Sequence, residues 1–295
     1  MKTMYMVRPT FIMLVGIPGS GKSTYAKWLL NKNTKLFSSD AIRKELWGDE
    51  NTQQEHFKVF SLMQERTLEA LKNGYNVIYD ATNLTRKSRR GVLSVLPAYI
   101  RKECVIVWAP VEACIARDAE RERVVGQEVI MTMLKRFEAP FYDEGFDEIK
   151  MYISAQHFKD SAQYYESCKK ALEIPHDNPH HTLGVAEHCR LCGESLQDKD
   201  IPEVVKTAGF LHDIGKPLTK TFVNTKGELT DIAHYYGHQA AGAWLSYGFP
   251  KGDPILAWLI STHMAPFINQ KYYNSLDPLY KNWIDILHTA DKEAH

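Results

Sequence analysis

At 295 residues the chain is about twice the usual domain length, and 44% hydrophobic with 24% charged residues suits two globular cores rather than a disordered or fibrous chain. With 36 Lys and Arg against 36 Asp and Glu, net charge neither demands nor excludes a polyanionic partner, although the first 150 residues are mildly basic and the rest mildly acidic. Five cysteines without a regular framework, no secretory leader pattern and no apolar run near the roughly 18 residues that span a bilayer point to a cytoplasmic protein with reduced thiols and no membrane association.

In chain order, Phe11 to Val15 is an apolar run ending at Gly16, and a helical pattern follows over 21–30. Further β-branched runs at Asn76 to Tyr79 and Cys104 to Trp108 alternate with expected helices over 53–72, 86–95, 111–122 and 127–137. That alternation predicts an α/β domain whose parallel sheet is covered on both faces. The basic run Arg86, Lys87, Arg89 and Arg90 reads either as a phosphate contact or as a solvated helix face.

Beyond about residue 150 the strand signal stops. Helices are expected near 155–172, 180–196, 201–213, 234–247, 253–263 and 277–291, punctuated by Pro, Gly and Asn, so the second half reads as an all-α bundle. The junction falls between Asp143 and Ile174, giving domains at 1–152 and 153–295. Cys189 and Cys192 have the spacing of a redox or zinc pair, but no second such pair exists, and ordinary helix packing accounts for them.

Gly16-Ile-Pro-Gly19-Ser20-Gly21-Lys22-Ser23-Thr24 is a full G-x-x-x-x-G-K-S loop, placed after a strand and opening a helix. Its backbone N–H groups and helix N-terminus favour nucleotide phosphates, Lys22 reaches the outer ones, and Ser23 suits Mg²⁺. Asp40 and Arg43, three apart, share a helix face on which a carboxylate can take a hydroxyl proton and a guanidinium can hold a phosphate; an N-capping Asp with an exposed Arg is the alternative. Asp80 and Asn83 end a strand, beside the phosphates or simply in a turn, and Arg117, Arg121 and Arg123 lead into Gly126 as a lid does.

Through GIPGSGKST, SSDAIRKEL, DATNLTRKSRR, RDAERER and EGFDEI, residues 9 to about 150 resemble the polynucleotide 5′-hydroxyl kinase domain of phage and bacterial polynucleotide kinase-phosphatases. The resemblance implies ATP as donor on Gly16, Gly19, Ser20, Gly21, Lys22, Ser23 and Thr24, with Mg²⁺ on Ser23. It implies Asp40 as general base, Arg43 on the phosphate 3′ of the acceptor nucleotide, Asp80 and Asn83 near the acceptor, and Arg117 and Arg121 over the donor phosphates.

Gly209-Phe-Leu-His212-Asp213-Ile-Gly215-Lys216 pairs a histidine with an aspartate, and His181, His238, His263 and Asp291 stand 25 to 31 residues from their neighbours in the series. That interval is about one helix and its connection, so successive helices can each project a ligand inward. Imidazole with carboxylate suits one or two divalent ions such as Mn, Fe, Co, Ni or Zn, and Asp213 can bridge. Residues 155–295 resemble the HD phosphohydrolase superfamily, which implies metal-assisted hydrolysis of a phosphate ester with Lys216, and His188 with it, assisting the phosphate; His180 and His234 compete with His181 and His238 as ligands.

The two heads together imply healing of RNA or DNA ends: one installs a 5′-phosphate, the other removes a 2′,3′-cyclic, 2′- or 3′-phosphate, and a polynucleotide ligase takes the product. The alternative is a nucleoside or small-metabolite kinase joined to a nucleotide phosphohydrolase.

Overall fold

The apolar run at residues 11–15 becomes the central strand of a five-stranded parallel sheet. In chain order the first half runs β1 (Thr10–Val15), α1 (Lys22–Leu29), β2 (Thr34–Ser38), α2 (Ser39–Trp47), α3 (His56–Lys72), β3 (Asn76–Asp80), α4 (Arg86–Leu93), β4 (Arg101–Trp108), α5 (Val111–Ala119), α6 (Gln127–Leu134) and β5 (Glu148–Ile153). The sheet order is β2-β3-β1-β4-β5, with every pairing parallel. Phe11, Met13, Leu14, Val77, Ile78, Val105, Ile106 and Val107 are buried, as strands covered on both faces must be. The loop after β1 and the ends of β2 and β3 therefore meet at the carboxyl edge of the sheet, where doubly wound folds bind ligands.

This computed structural model describes residues 8–48, 55–154, 160–179, 182–250 and 252–294. It divides into one unit of Met1–Ile130 with Pro140–Gln156 and another of Met131–Ala139 with His157–His295. The second unit is helical: α7 (Ser161–Ala171), α8 (Val185–Glu194), α9 (Glu203–Leu211), α10 (Lys216–Thr219), α11 (His238–Ser246), α12 (Pro254–Thr262), α13 (Ala265–Ile268), α14 (Gln270–Asn274) and α15 (Pro278–Glu293). Between α10 and α11 stands an antiparallel hairpin of β6 (Thr221–Val223) and β7 (Leu229–His234), absent from the sequence reading. Its side chains are largely exposed, with Leu229 at 82%, so it lacked the buried alternation that marks a strand.

Helix starts follow local chemistry: Asp253 and Asp277 accept from the N–H groups of Ile255 and Leu279, each followed by a proline at the first helical position. Gly215 is required where α10 begins, because a Cβ there would lie 2.0 Å from the carbonyl oxygen of His238 and 2.4 Å from the nitrogen of Gly242. Cys189 and Cys192 are buried in α8, and burial pushes the Cys189 thiol up to about 12, as packing residues rather than a redox pair.

The basic run at 86–90 is neither a plain solvated face nor a phosphate contact throughout. Arg86 pairs bidentately with Asp143, while Arg89 is fully buried, donating to both carboxylate oxygens of Glu144 and to the carbonyls of Asn83 and Leu84. Glu144→Ala leaves that guanidinium buried without its counter-charge, which costs about 3–5 kcal/mol; urea denaturation of the variant is expected to show a loss of that size.

Candidate functional site

The first unit's site is built on the loop between β1 and α1. Gly19 has φ +77, and a Cβ there would lie 2.1 Å from the Cys114 carbonyl oxygen, so the loop can pass α5 only with glycine at that position. Lys22 folds back over the loop and donates to the carbonyls of Gly16 at 2.8 Å and Ile17 at 2.9 Å. Burial pulls its pKa down, opposed by the nearby Asp80 carboxylate. Ser23 donates to Asp80 Oδ2 at 3.0 Å, and burial raises the Asp80 pKa. The buried Ser20 hydroxyl has no hydrogen-bond partner among the described residues. A cradle of backbone N–H groups, a lysine and a hydroxyl–carboxylate pair fits a nucleotide polyphosphate with Mg²⁺.

Asp40 in the first turn of α2 receives two cations on one oxygen, Arg43 at 2.8 Å and Arg123 at 3.1 Å. Arg43 is buried and its Nε has no hydrogen-bond partner among the described residues. Arg121 is exposed, yet its charge acts on both Lys22 and Asp80. Arg117 instead donates to Gly19 O, Ser154 Oγ and Ser154 O, and Ser154 in turn donates to the Ser20 carbonyl, so this arginine braces the phosphate loop. Asn83, expected at the acceptor, is buried with φ +48 and donates to the carbonyls of Leu14 and Ala81, pinning β1 to the end of β3. The sequence reading also missed buried Asp118, whose Oδ2 accepts from the N–H groups of Val125 and Gly126 and fixes the turn after the arginine run.

In the second unit six side chains converge. His188 Nε2 lies 2.9 Å from Asp291 Oδ1 and 3.2 Å from His212 Nε2; His212 Nε2 lies 3.4 Å from Asp213 Oδ2 and 3.3 Å from Asp291 Oδ1. On the other side of Asp213, Oδ1 is 3.3 Å from His238 Nε2, which is 3.2 Å from His263 Nε2. The ligand atoms of His188, His212 and Asp213 lie within 4.8 Å of one another, as do those of Asp213, His238 and His263. His181 and its competitor His180 lie outside the described residues; the position facing His212 is filled by His188, which the sequence reading had given only to the phosphate. His234 is at the end of β7, stacked on Tyr236.

Each of the four imidazoles is hydrogen-bonded at Nδ1 to a backbone carbonyl: His188 to Ala294, His212 to Gly209, His238 to Tyr235 and His263 to Ile260. Those bonds occupy Nδ1 and turn Nε2 of each ring inward, the nitrogen that a metal would take. Nε2 atoms gathered 3.2 Å apart in two pairs on either side of Asp213 form a donor set that fits divalent ions, with Asp213 shared. Lys216 Nζ sits 2.6 Å from Asp213 Oδ2 and donates to His176 Nε2 at 3.0 Å, itself missed from sequence. The site opens into a cavity of about 390 Å³ lined in part by Asp213, Lys216, His263, Asp291 and Lys292.

Residues 11–140 match the AAA domain family and residues 180–289 the HD domain family. The chain thus joins a P-loop domain of the AAA type to an HD domain. An L-seryl-tRNA(Sec) kinase from Methanococcus maripaludis is 30% identical over 179 residues, spanning 55% of this chain and 65% of its own length, so less than two thirds of that relative is matched. Among solved structures, the Pnkp1/Rnl/Hen1 RNA repair complex aligns over 46% of each chain at 24% identity and TM-score 0.41. A gluconokinase from Sinorhizobium meliloti 1021 aligns over 50% of this chain and 85% of its own at 20% identity and TM-score 0.37. No described helix is long and apolar enough to cross a membrane.

Burial lowers the His263 pKa from 6.5 to about 3, with His238 and His212 adding to the effect. An unfolded chain takes up a proton here that the folded one refuses, so this contribution to stability is present above pH 6.5 and is lost as pH falls toward 3. His212 shifts the other way, raised above 6.5 because Asp213 and Asp291 outweigh its burial. The variant comparison therefore isolates His263: in metal-free protein, His263→Leu is expected to flatten the acid-side fall of Tm relative to wild type, read by thermal melts between about pH 7 and about pH 5.

Proposed function

We propose that this chain is a nucleic-acid end-healing enzyme that phosphorylates 5′-hydroxyl ends of RNA or DNA and removes 2′,3′-cyclic, 2′- or 3′-phosphates from 3′ ends. The observation that carries the reading is the Asp40–Arg43–Arg123 cluster at the same sheet edge as the phosphate loop. A carboxylate that can take a hydroxyl proton stands there beside two guanidiniums, one more cation than it neutralises, and the surplus suits an acceptor that already carries a phosphate. An acceptor of that kind is a nucleotide in a strand rather than a free nucleoside. The relative's name describes a kinase acting on a tRNA-borne serine, which supports an acceptor hydroxyl carried on RNA.

When bound, ATP supplies the phosphoryl group, Mg²⁺ neutralises its charge, and one or two Mn, Fe, Co, Ni or Zn ions at the second site polarise water and ester. Lys22 and the loop N–H groups hold the donor phosphates, Ser23 and Asp80 hold Mg²⁺, and Arg121 approaches from the lid turn. Asp40 accepts the proton of the 5′-hydroxyl as the hydroxyl oxygen bonds to the γ-phosphorus and the bond from that phosphorus to the β,γ-bridging oxygen breaks, ADP leaving, while Arg43 holds the phosphate already on the acceptor. In the second head His188, His212, Asp213, His238, His263 and Asp291 are the metal ligands, and Lys216 neutralises the ester. Water oxygen bonds to phosphorus there while the P–O bond to the ribose oxygen breaks and that oxygen takes a proton. The kinase head occupies 1–152 and the phosphohydrolase head 153–295; the product ends are those a polynucleotide ligase consumes in the cytoplasm.

Transfer of label from ATP to a 5′-hydroxyl oligonucleotide tests the first head, and transfer to nucleosides alone would reject it. Asp40→Asn is expected to cut kcat about 10²–10⁴-fold. In the second head, His212→Ala with Asp213→Ala is expected to abolish opening of an oligonucleotide 2′,3′-cyclic phosphate, with kinase activity retained; turnover by the double variant would remove those residues from the chemistry.

A further inference from the structure

The cavity over the second site has a wall that neither metal nor phosphate needs. Tyr236 and His234 stack with rings 10° apart and centroids at 5.2 Å, and Phe267 on α13 meets His288 of α15 edge to face at 4.6 Å. All four rings line the cavity that also contains Asp213, Lys216 and Lys292. Phe267 is 59% exposed and Tyr236 40%, although each is steadied by its aromatic partner. A lone exposed aromatic is ordinary on a protein surface. Two steadied pairs on one cavity, together with two ammonium groups and metal-type side chains, match a ligand that is flat at one end and anionic at the other.

We propose that this site takes its phosphate ester attached to a nucleoside, with the nucleobase stacked on the aromatic lining to which Phe267 and Tyr236 belong. The site then selects nucleotides and oligonucleotide ends over base-free phosphate esters. This inference rests on the phosphohydrolase reading of the same site and names what that site accepts. Stacking uses the π-face that every base has, so selection is for the presence of a base rather than its identity. Lys216 and Lys292 hold the anionic end.

The test compares adenosine 2′,3′-cyclic phosphate with the 2′,3′-cyclic phosphate of methyl riboside, which lacks a base, on the Mn²⁺-loaded full chain. Wild type is expected to favour the nucleotide by about tenfold or more in kcat/KM. Phe267→Ala is expected to raise KM for the nucleotide about tenfold with kcat nearly unchanged, to leave the base-free ester unaffected, and to be rescued by Phe267→Trp. A second readout needs no turnover: in the purified full chain, the fluorescence of 2-aminopurine riboside 3′-phosphate is quenched on stacking, and Phe267→Ala removes the quenching. Equal wild-type kcat/KM for the two esters, an unchanged nucleotide KM in Phe267→Ala, or equal losses on both esters overturns the base wall while the phosphohydrolase reading stands. Hydrolysis of neither ester with any of the divalent ions overturns that reading, and the inference falls with it.

Discussion

Asp213 is a buried carboxylate whose two oxygens serve two different groups of imidazoles, with Lys216 close on one of them. An isolated charge at that depth is costly, and the chain surrounds it with four rings whose protonated nitrogens are already occupied by backbone carbonyls. What points inward is a set of Nε2 atoms and carboxylate oxygens, with the Lys216 ammonium against one carboxylate oxygen. Crowded imidazole nitrogens and carboxylate oxygens are a set that divalent ions would stabilise, and α8, α9, α11, α12 and α15 or their ends each bring a side chain to it.

The first unit solves the reverse problem. There the loop after β1 gathers backbone N–H groups and Lys22, and Arg117 holds the loop in place through Ser154 rather than facing the donor. A site rich in donors calls for a polyanion, and the parallel sheet supplies the geometry by ending β1, β2 and β3 at one edge. Acceptors gathered in one unit and donors in the other are the physical content of the division between metal and nucleotide chemistry.

Sequence made the central strands and the phosphate loop plain, because β1, β3 and β4 are continuous apolar runs and G-x-x-x-x-G-K-S constrains spacing, strand and helix together. The edge strands β2 and β5 were missed: TKLFS and EIKMYI mix exposed polar residues with few buried ones, and their strand state comes from pairing with a neighbour already formed. Arg89 read as one of a basic run since its partner Glu144 is 55 residues away, and no local pattern distinguishes a buried guanidinium from an exposed one. Aspartate and histidine at regular intervals marked the metal site, and interval named His181 with His180 as its competitor, both outside the described residues, while His188 was given to the phosphate. His188 is held by the carbonyl of Ala294, a contact 106 residues distant.

A local signal for the ligands does exist, and it lies in how helices end. His212 and His263 stand at the C-terminal caps of α9 and α12, and each bonds Nδ1 to the carbonyl three residues earlier, Gly209 and Ile260. His238 does the same with Tyr235 at the start of α11. The last turn of a helix leaves carbonyls without an amide partner, and a histidine placed there satisfies one of them. That single bond fixes the tautomer and turns Nε2 toward the bundle interior. A helix stop immediately before His-Asp or His-Met is thus a structural device as well as a boundary: termination of the helix supplies the orienting group, and no additional carboxylate is needed behind the ring.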